Sequence, residues 1–257
     1  MRLLSRTTRA LHLTDEGRAF HERSAGAFQL LAEAAEEAIA GTREVSGTVR
    51  IGLPALFGTY LVAPRLPALL QRHPKLCVEL VTTMRLADIV ERGLDFAIAV
   101  GALPDSNFVA RPLGYGQFVT VASPAYLASA GCPNHPAELA AHRCLAYVRP
   151  DGRADPWHFV IDGAAQATDV PAAARSDEMH HPAAMVTAGL GVAHVPMFAV
   201  ADALRCGAVV RLLQAFEPPP KLASFVYPAA SSMPRRVRHV IEHLASSDSA
   251  LPGTYRD

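Results

Sequence analysis

His239-Val240-Ile241-Glu242-His243 matches the H-x-x-E-H pattern of one class of zinc peptidase. On a helix that spacing sets both histidines on one face. A zinc site also needs a further protein ligand, and only fourteen residues follow His243. In a chain with 11 histidines such a short pattern arises by chance, so a solvated helix face is the reading. Glu178, His180 and His181 form a second cluster, but adjacent histidines point to different sides and cannot easily share one metal. Asp88 and Asp95 flank a short segment and read as caps, or as partners of Arg85 or Arg92. Gly189-Leu190-Gly191 follows a helical segment and precedes a strand, the reverse of a phosphate loop, and reads as a helix C-cap. The chain has no G-x-S-x-G and no Walker loop. Neither metal nor cofactor is expected, and no constellation supports an enzyme.

Binding chemistry is better represented. Arg6, Thr7, Thr8 and Arg9 put uncompensated positive charge beside hydroxyls, which suits contact with nucleic-acid phosphates as well as an ordinary solvated turn. Thr82 and Thr83 place two adjacent hydroxyls at the end of an apolar run, where they could hold a carboxylate or carbonyl. Ala55, Leu56 and Phe57 follow one strand-like run, and Val100 and Gly101 follow another. Open α/β sheets bind ligands at such strand ends. Capping or packing is the competing reading for each of these positions.

The positioning elements follow from periodicity. Residues 1–13 suggest a small β-hairpin. At Thr14 the period becomes helical, with Asp15 and Glu16 in the first turn and an apolar stripe running to Gly41. So long a helix, with almost no chain before it, suits a dimer seam with a second copy, or packing on the domain that follows. After a polar linker, 48–53, 76–81, 96–100 and 118–122 read as strands. Helices are expected at 61–72 and 86–91, and Ser123-Pro124 opens another. A strand near 145–148 and a strand–turn–strand over 157–170 come next. A helix over 182–188 precedes strands at 192–195, 208–213 and 222–227, and the last element is a helix over 234–244. This alternation predicts a mostly parallel, doubly wound α/β sheet.

Composition sets the outer bounds. A chain of 257 residues, 50% hydrophobic, has room for two ordinary α/β units. Lys+Arg and Asp+Glu are both 24, which argues against a globally basic nucleic-acid binder. Four scattered cysteines do not make a disulfide framework and suit a reducing compartment. No run approaches the roughly 18 apolar residues of a membrane helix, and the first residues are not a signal peptide. A cytoplasmic location is expected.

Several segments, taken in order, carry a family pattern. Leu4-Ser5-Arg6-Thr7-Thr8-Arg9-Ala10-Leu11-His12-Leu13-Thr14-Asp15-Glu16-Gly17 comes first, and Val49-Arg50-Ile51-Gly52 second. Asp88-Ile89-Val90-Glu91-Arg92-Gly93-Leu94-Asp95-Phe96 and Phe108-Val109-Ala110-Arg111-Pro112-Leu113-Gly114 follow. Ser123-Pro124-Ala125-Tyr126-Leu127 and Ala188-Gly189-Leu190-Gly191-Val192 complete the set. Together they resemble LysR-type transcriptional regulators over nearly the whole chain.

The resemblance implies a winged helix-turn-helix, a long linker helix for self-association, and a two-lobed periplasmic-binding-protein-like effector domain (type 2). It assigns 1–13 to a remnant wing and 14–47 to the linker helix and hinge. Lobe one is 48–122 plus 231–247, lobe two is 123–230, and 248–257 is a flexible tail. Crossings between lobes are expected near Ser123 and Tyr227-Pro228. Ser123, Tyr147 and Ser176 would contribute to the effector site from lobe two. The implied partners are DNA and a small-molecule effector, a carboxylate being one candidate. The helix-turn-helix should precede the wing, and Met1 already sits at the wing, so the start is set late, or the chain is a fragment or a truncated gene. DNA binding is then expected to be weakened or lost. Met84 stands where many members carry a polar or acidic residue. The alternative is a stand-alone small-molecule-binding module without a DNA role.

Overall fold

The computed structural model describes residues 4–6, 11–13, 24, 45–103, 108–229, 233–246 and 254–255. β1 (Leu4–Arg6) and β2 (Leu11–Leu13) form an antiparallel hairpin with Leu4 opposite Leu13, as the sequence suggests for residues 1–13. Thr7, Thr8 and Arg9 lie outside the described residues, and so does the expected linker helix except Ser24, which is helical.

The first main sheet contains β3 (Gly47–Leu53), β4 (Leu76–Thr82), β5 (Phe96–Val100) and β6 (Phe108–Gly116). The second contains β7 (Phe118–Ala122), β8 (Cys144–Tyr147), β11 (Ala172–Ser176), β12 (Val192–Pro196) and β13 (Val210–Leu212). Between β8 and β11, β9 (Trp157–Ile161) and β10 (Ala164–Thr168) make a separate hairpin. Its turn residues Asp162 and Gly163 both have positive φ, a conformation Asp-Gly accepts readily. β14 (Lys221–Pro228) and β15 (Thr254–Tyr255) return to the first sheet, whose order is β15-β6-β14-β5-β3-β4. The second sheet runs β11-β8-β12-β7-β13.

Both sheets are mixed rather than mostly parallel. β3 pairs parallel with β4 and β5, while β14 runs antiparallel to β5 and β6. In the second sheet β8 pairs parallel with β11 and β12, and β7 runs antiparallel to β12 and β13. β6 and β7 are joined by one residue, Gln117, and belong to different sheets.

That residue moves the lobe boundary. Phe118–Ala122, assigned to lobe one from sequence, is a central strand of the second sheet. Lys221–Pro228, assigned to lobe two, is a central strand of the first. The chain therefore crosses at Gln117 and again over 213–220, not at Ser123 and Tyr227. Strand partners 70 or more residues apart set these memberships, and no local pattern carries them. The expected tail also differs: Thr254–Tyr255 pairs with the edge of β6.

β6 was not foreseen because Arg111-Pro112 and two glycines break its pattern. The ladder with β14 shifts between Ala223 and Ser224, and this irregularity accommodates Pro112 within the strand. β11 was missed because Ala172-Ala173-Ala174 has little β preference; pairing with β8 decides it.

The helical run α1 covers 55–72 and starts six residues earlier than the periodicity suggests. It passes through a π turn (Gly58–Val62) and a 3-10 turn (Ala63–Arg65) before Leu66–Arg72. Pro64 and Pro67 lack the amide donors a regular helix would use there. α2 (Asp88–Glu91), α3 (Pro124–Ala130), α4 (His180–Thr187), α5 (Ala201–Arg205) and α6 (Arg235–Leu244) complete the set. α6 buries Val237, Val240, Ile241 and Leu244, a helical stripe that joins Val49, Ile51, Phe96 and Phe225 in the first core. Val119, Val121, Leu145, Val186 and Val195 form the second.

Candidate functional site

β3, β4 and β5 are parallel, so their C-terminal ends meet at one edge of the first sheet. A cavity of about 860 Å³ opens there, between the two sheets. Ala55, Leu56 and Phe57 line it after β3, Thr82 and Thr83 at the end of β4, and Val100 and Gly101 at the end of β5. Tyr147 enters from the end of β8 in the other sheet. Eight of the ten positions expected from sequence thus lie around one space. The lining is largely apolar.

Ser123 and Ser176 are not among the lining residues. The buried Ser123 Oγ accepts from the Tyr126 amide at 3.1 Å and caps α3. Ser176 Oγ lies 2.6 Å from His181 Nδ1 and accepts from the Glu178 amide at 3.0 Å. Both hydroxyls do the local work that a serine at a helix start or turn commonly does.

Thr83 is also committed. Its hydroxyl donates to Asp88 Oδ2 at 2.6 Å and accepts from the Arg85 amide at 3.0 Å. Asp88 further meets Arg85 at 3.0 Å and Arg92 at 3.5 Å. The Thr83 hydroxyl, and then these two guanidinium groups, hold the Asp88 carboxyl below the usual carboxylate range against the opposing effect of burial. The sequence reading of Asp88 as a partner of Arg85 or Arg92 is what the structure has. Thr82, by contrast, is exposed and pairs with Leu53 only through the β4 ladder, its hydroxyl making no hydrogen bond with the described residues.

Two contacts span the cleft. The Tyr147 hydroxyl donates to Met84 Sδ at 3.4 Å. Burial, and then the charges of Glu178, Asp155 and Asp177, push the Tyr147 phenol upward, so it stays a donor. At the other contact Thr59 Oγ1 lies 3.0 Å from His180 Nε2, and the Tyr60 and His180 rings stack at 6.1 Å. Phe198, which follows β12, packs against Phe57 at 5.4 Å and belongs to the first core.

Sequence reasoning missed Lys221, Phe118 and Phe198, all of which line the cavity. Only Glu217-Pro218-Pro219-Pro220 before Lys221 marked that region, and it marks a linker rather than a ligand site. The H-x-x-E-H segment lies elsewhere: His243 Nε2 is 3.0 Å from the Arg65 carbonyl, and His239 faces His73. Among the described residues no His, Cys, Asp and Glu cluster could hold a metal.

The profile of the LysR substrate binding domain matches residues 42–248. The chain belongs to the LysR family of transcriptional regulators. The HTH-type transcriptional regulator YhjC of Escherichia coli is 34% identical over 250 residues, 95% of this chain and 82% of that protein. The HTH-type transcriptional activator AaeR of Escherichia coli is 31% identical and covers 95% of this chain and 79% of its own length. Among solved structures, the LysR-type regulator CrgA of Neisseria meningitidis superposes with TM-score 0.70 at 27% identity, covering 96% of this chain and 85% of that one. The full-length Vibrio cholerae virulence activator AphB gives 0.69 at 26%, covering 95% and 83%. This LysR-type regulator has the two-lobed α/β effector domain of its family, and its relatives are transcriptional regulators rather than enzymes. No helix among its described residues is long and apolar enough to cross a membrane.

Proposed function

We propose that this regulator is controlled by a small molecule bound in the interlobe cavity through Ala55, Leu56, Phe57, Thr82, Val100, Gly101 and Tyr147. The observation that carries the reading is the 860 Å³ space lined from both sheets at their strand ends. A ligand that prefers one degree of lobe closure shifts the population of that state. Closure then changes how linker helices over 14–47, paired between two copies, present the wings. Arg6, Thr7, Thr8 and Arg9 contact DNA phosphates, which fix position more than sequence. Lobe one is 45–116 with 221–247, and lobe two is 118–212. The protein acts in the cytoplasm as a binding protein without catalysis.

Gel retardation of the DNA upstream of its own reading frame tests this, using the chain and any in-frame upstream extension of it. Retardation at low salt is expected of the extended form, with weaker or no retardation by the chain itself. Joint replacement of Arg6 and Arg9 by Ala lowers the salt slope by about two. Ala55→Trp, which puts an indole into the cavity, leaves DNA binding intact and weakens the response to small molecules. No retardation under any ligand or salt condition overturns the reading.

A further inference from the structure

We infer that Lys221 selects the charge of the ligand, so that the cavity takes an apolar molecule carrying one negatively charged group seated on its ammonium. The inference rests on the effector-site reading above. It starts from which polar groups around the cavity are still free. The Thr83 hydroxyl is spent on Asp88. The Arg85 guanidinium spans Asp88 at 3.0 Å and Glu91 at 3.3 Å. Lys221 differs: among the described residues no carboxylate lies within 4.0 Å of its Nζ, which sits 5.0 Å from the Phe118 ring centroid.

Lys221 opens β14 opposite Gly116, beside the crossing at Gln117, and lines the cavity together with Phe118 and Tyr147. The aromatic face attracts the ammonium but does not neutralise it. A half-buried cation without a counter-ion carries a desolvation cost that a bound anion would offset. The charge is felt inward: after burial itself, Lys221 is the next cause holding the buried His194 imidazole down at about 3.

Three acids also line the cavity, Asp155 sharing a small adjoining pocket with Lys221, and they limit the ligand to one charge. Asp155 faces Arg149 at 3.7 Å and Glu178 faces His180 at 4.0 Å, while Asp177 is exposed to solvent. These three carboxylates would repel a second negative group placed near Tyr147, whose phenol already responds to them. The rest of the space is bounded by Leu56, Phe57, Leu113 and Phe198 and suits an apolar body.

Two fluorescent probes share one apolar body and differ in charge: 8-anilinonaphthalene-1-sulfonate and neutral N-phenyl-1-naphthylamine. Titrated into the whole chain, the sulfonate is expected to bind more tightly than the neutral probe. Lys221→Gln should weaken the sulfonate about tenfold, the scale of one charge-assisted contact, and leave the neutral probe within about twofold. Lys221→Arg should restore most of the difference. Ala55→Trp should weaken both probes. If Lys221→Gln leaves sulfonate binding unchanged, or the neutral probe binds wild type equally well, the role of Lys221 is overturned while the cavity stands. If neither probe binds, or Ala55→Trp affects neither, the effector-site reading falls and this inference with it.

Discussion

Gln117 Nε2 donates to the Pro218 carbonyl at 2.8 Å, and these two residues sit on the two segments by which the chain passes between lobes. The same nitrogen lies 3.0 Å from the Phe118 carbonyl, and the Gln117 carbonyl accepts from the Met197 amide at 2.8 Å. One buried amide therefore ties the crossings together.

Replacing Gln117 by Ala should cost about 1–3 kcal/mol, because the buried Pro218 carbonyl loses its donor. Urea unfolding measures this directly. Gln117→Glu should do no better, since a carboxylate cannot donate to a carbonyl. Unchanged unfolding midpoints for both variants would show that the clasp contributes nothing.

Thr83→Val removes the hydroxyl that most lowers the Asp88 pKa. Ionised Asp88 is favoured in the fold, so its contribution is full above the ordinary carboxylate range. It is lost as pH falls through the depressed folded value. The variant should therefore lose stability at pH 7, and the gap to wild type should close at acid pH. Thr83→Ser should behave as wild type. Thermal unfolding at two pH values distinguishes the three.

His194 titrates at about 3, lowered first by burial among Trp157, Phe159 and Phe118 and then by Lys221. In the unfolded chain it would titrate at about 6.5. Between those values the unfolded state binds the extra proton. Stability should fall as pH falls through this range, by up to about 1.4 kcal/mol per unit from this one group. His194→Phe should flatten that dependence, although Thr120, 3.1 Å from His194 Nδ1, loses its partner. An unchanged slope between pH 6 and pH 4 would refute this account.

A Cβ on Gly191 would come within 2.0 Å of the Arg143 carbonyl oxygen, a rigid backbone atom. Gly191→Ala should cost about 3 kcal/mol or more through forced displacement of β8 or β12. Gly189 is different: its φ is +85°, and an added Cβ would meet only the Ser123 hydroxyl at 3.3 Å. Gly189→Ala should cost about 1–2 kcal/mol from backbone strain. Chemical denaturation of the pair should rank them in that order.

Much of this architecture is legible in local pattern. The buried faces of β3, β5, β7 and β12 and the stripe of α6 follow from runs and periods of apolar residues, because burial acts on each side chain along its own element. Strand ends then point to Ala55, Thr82, Val100 and Tyr147, since a ligand site at the end of a parallel strand is a consequence of chain direction. The family pattern, spread through the chain in order, adds the two-lobed plan.

Tertiary structure alone decided two other things. Which sheet Phe118–Ala122 and Lys221–Pro228 join depends on partners far away in the chain, so the crossings at Gln117 and 213–220 had no local signature. Lys221 acquires its place only when β14 docks beside β6, because a lone lysine after three prolines carries no pattern of its own. Burial and periodicity are written along one chain. Pairing and charge neutralisation are properties of two segments at once.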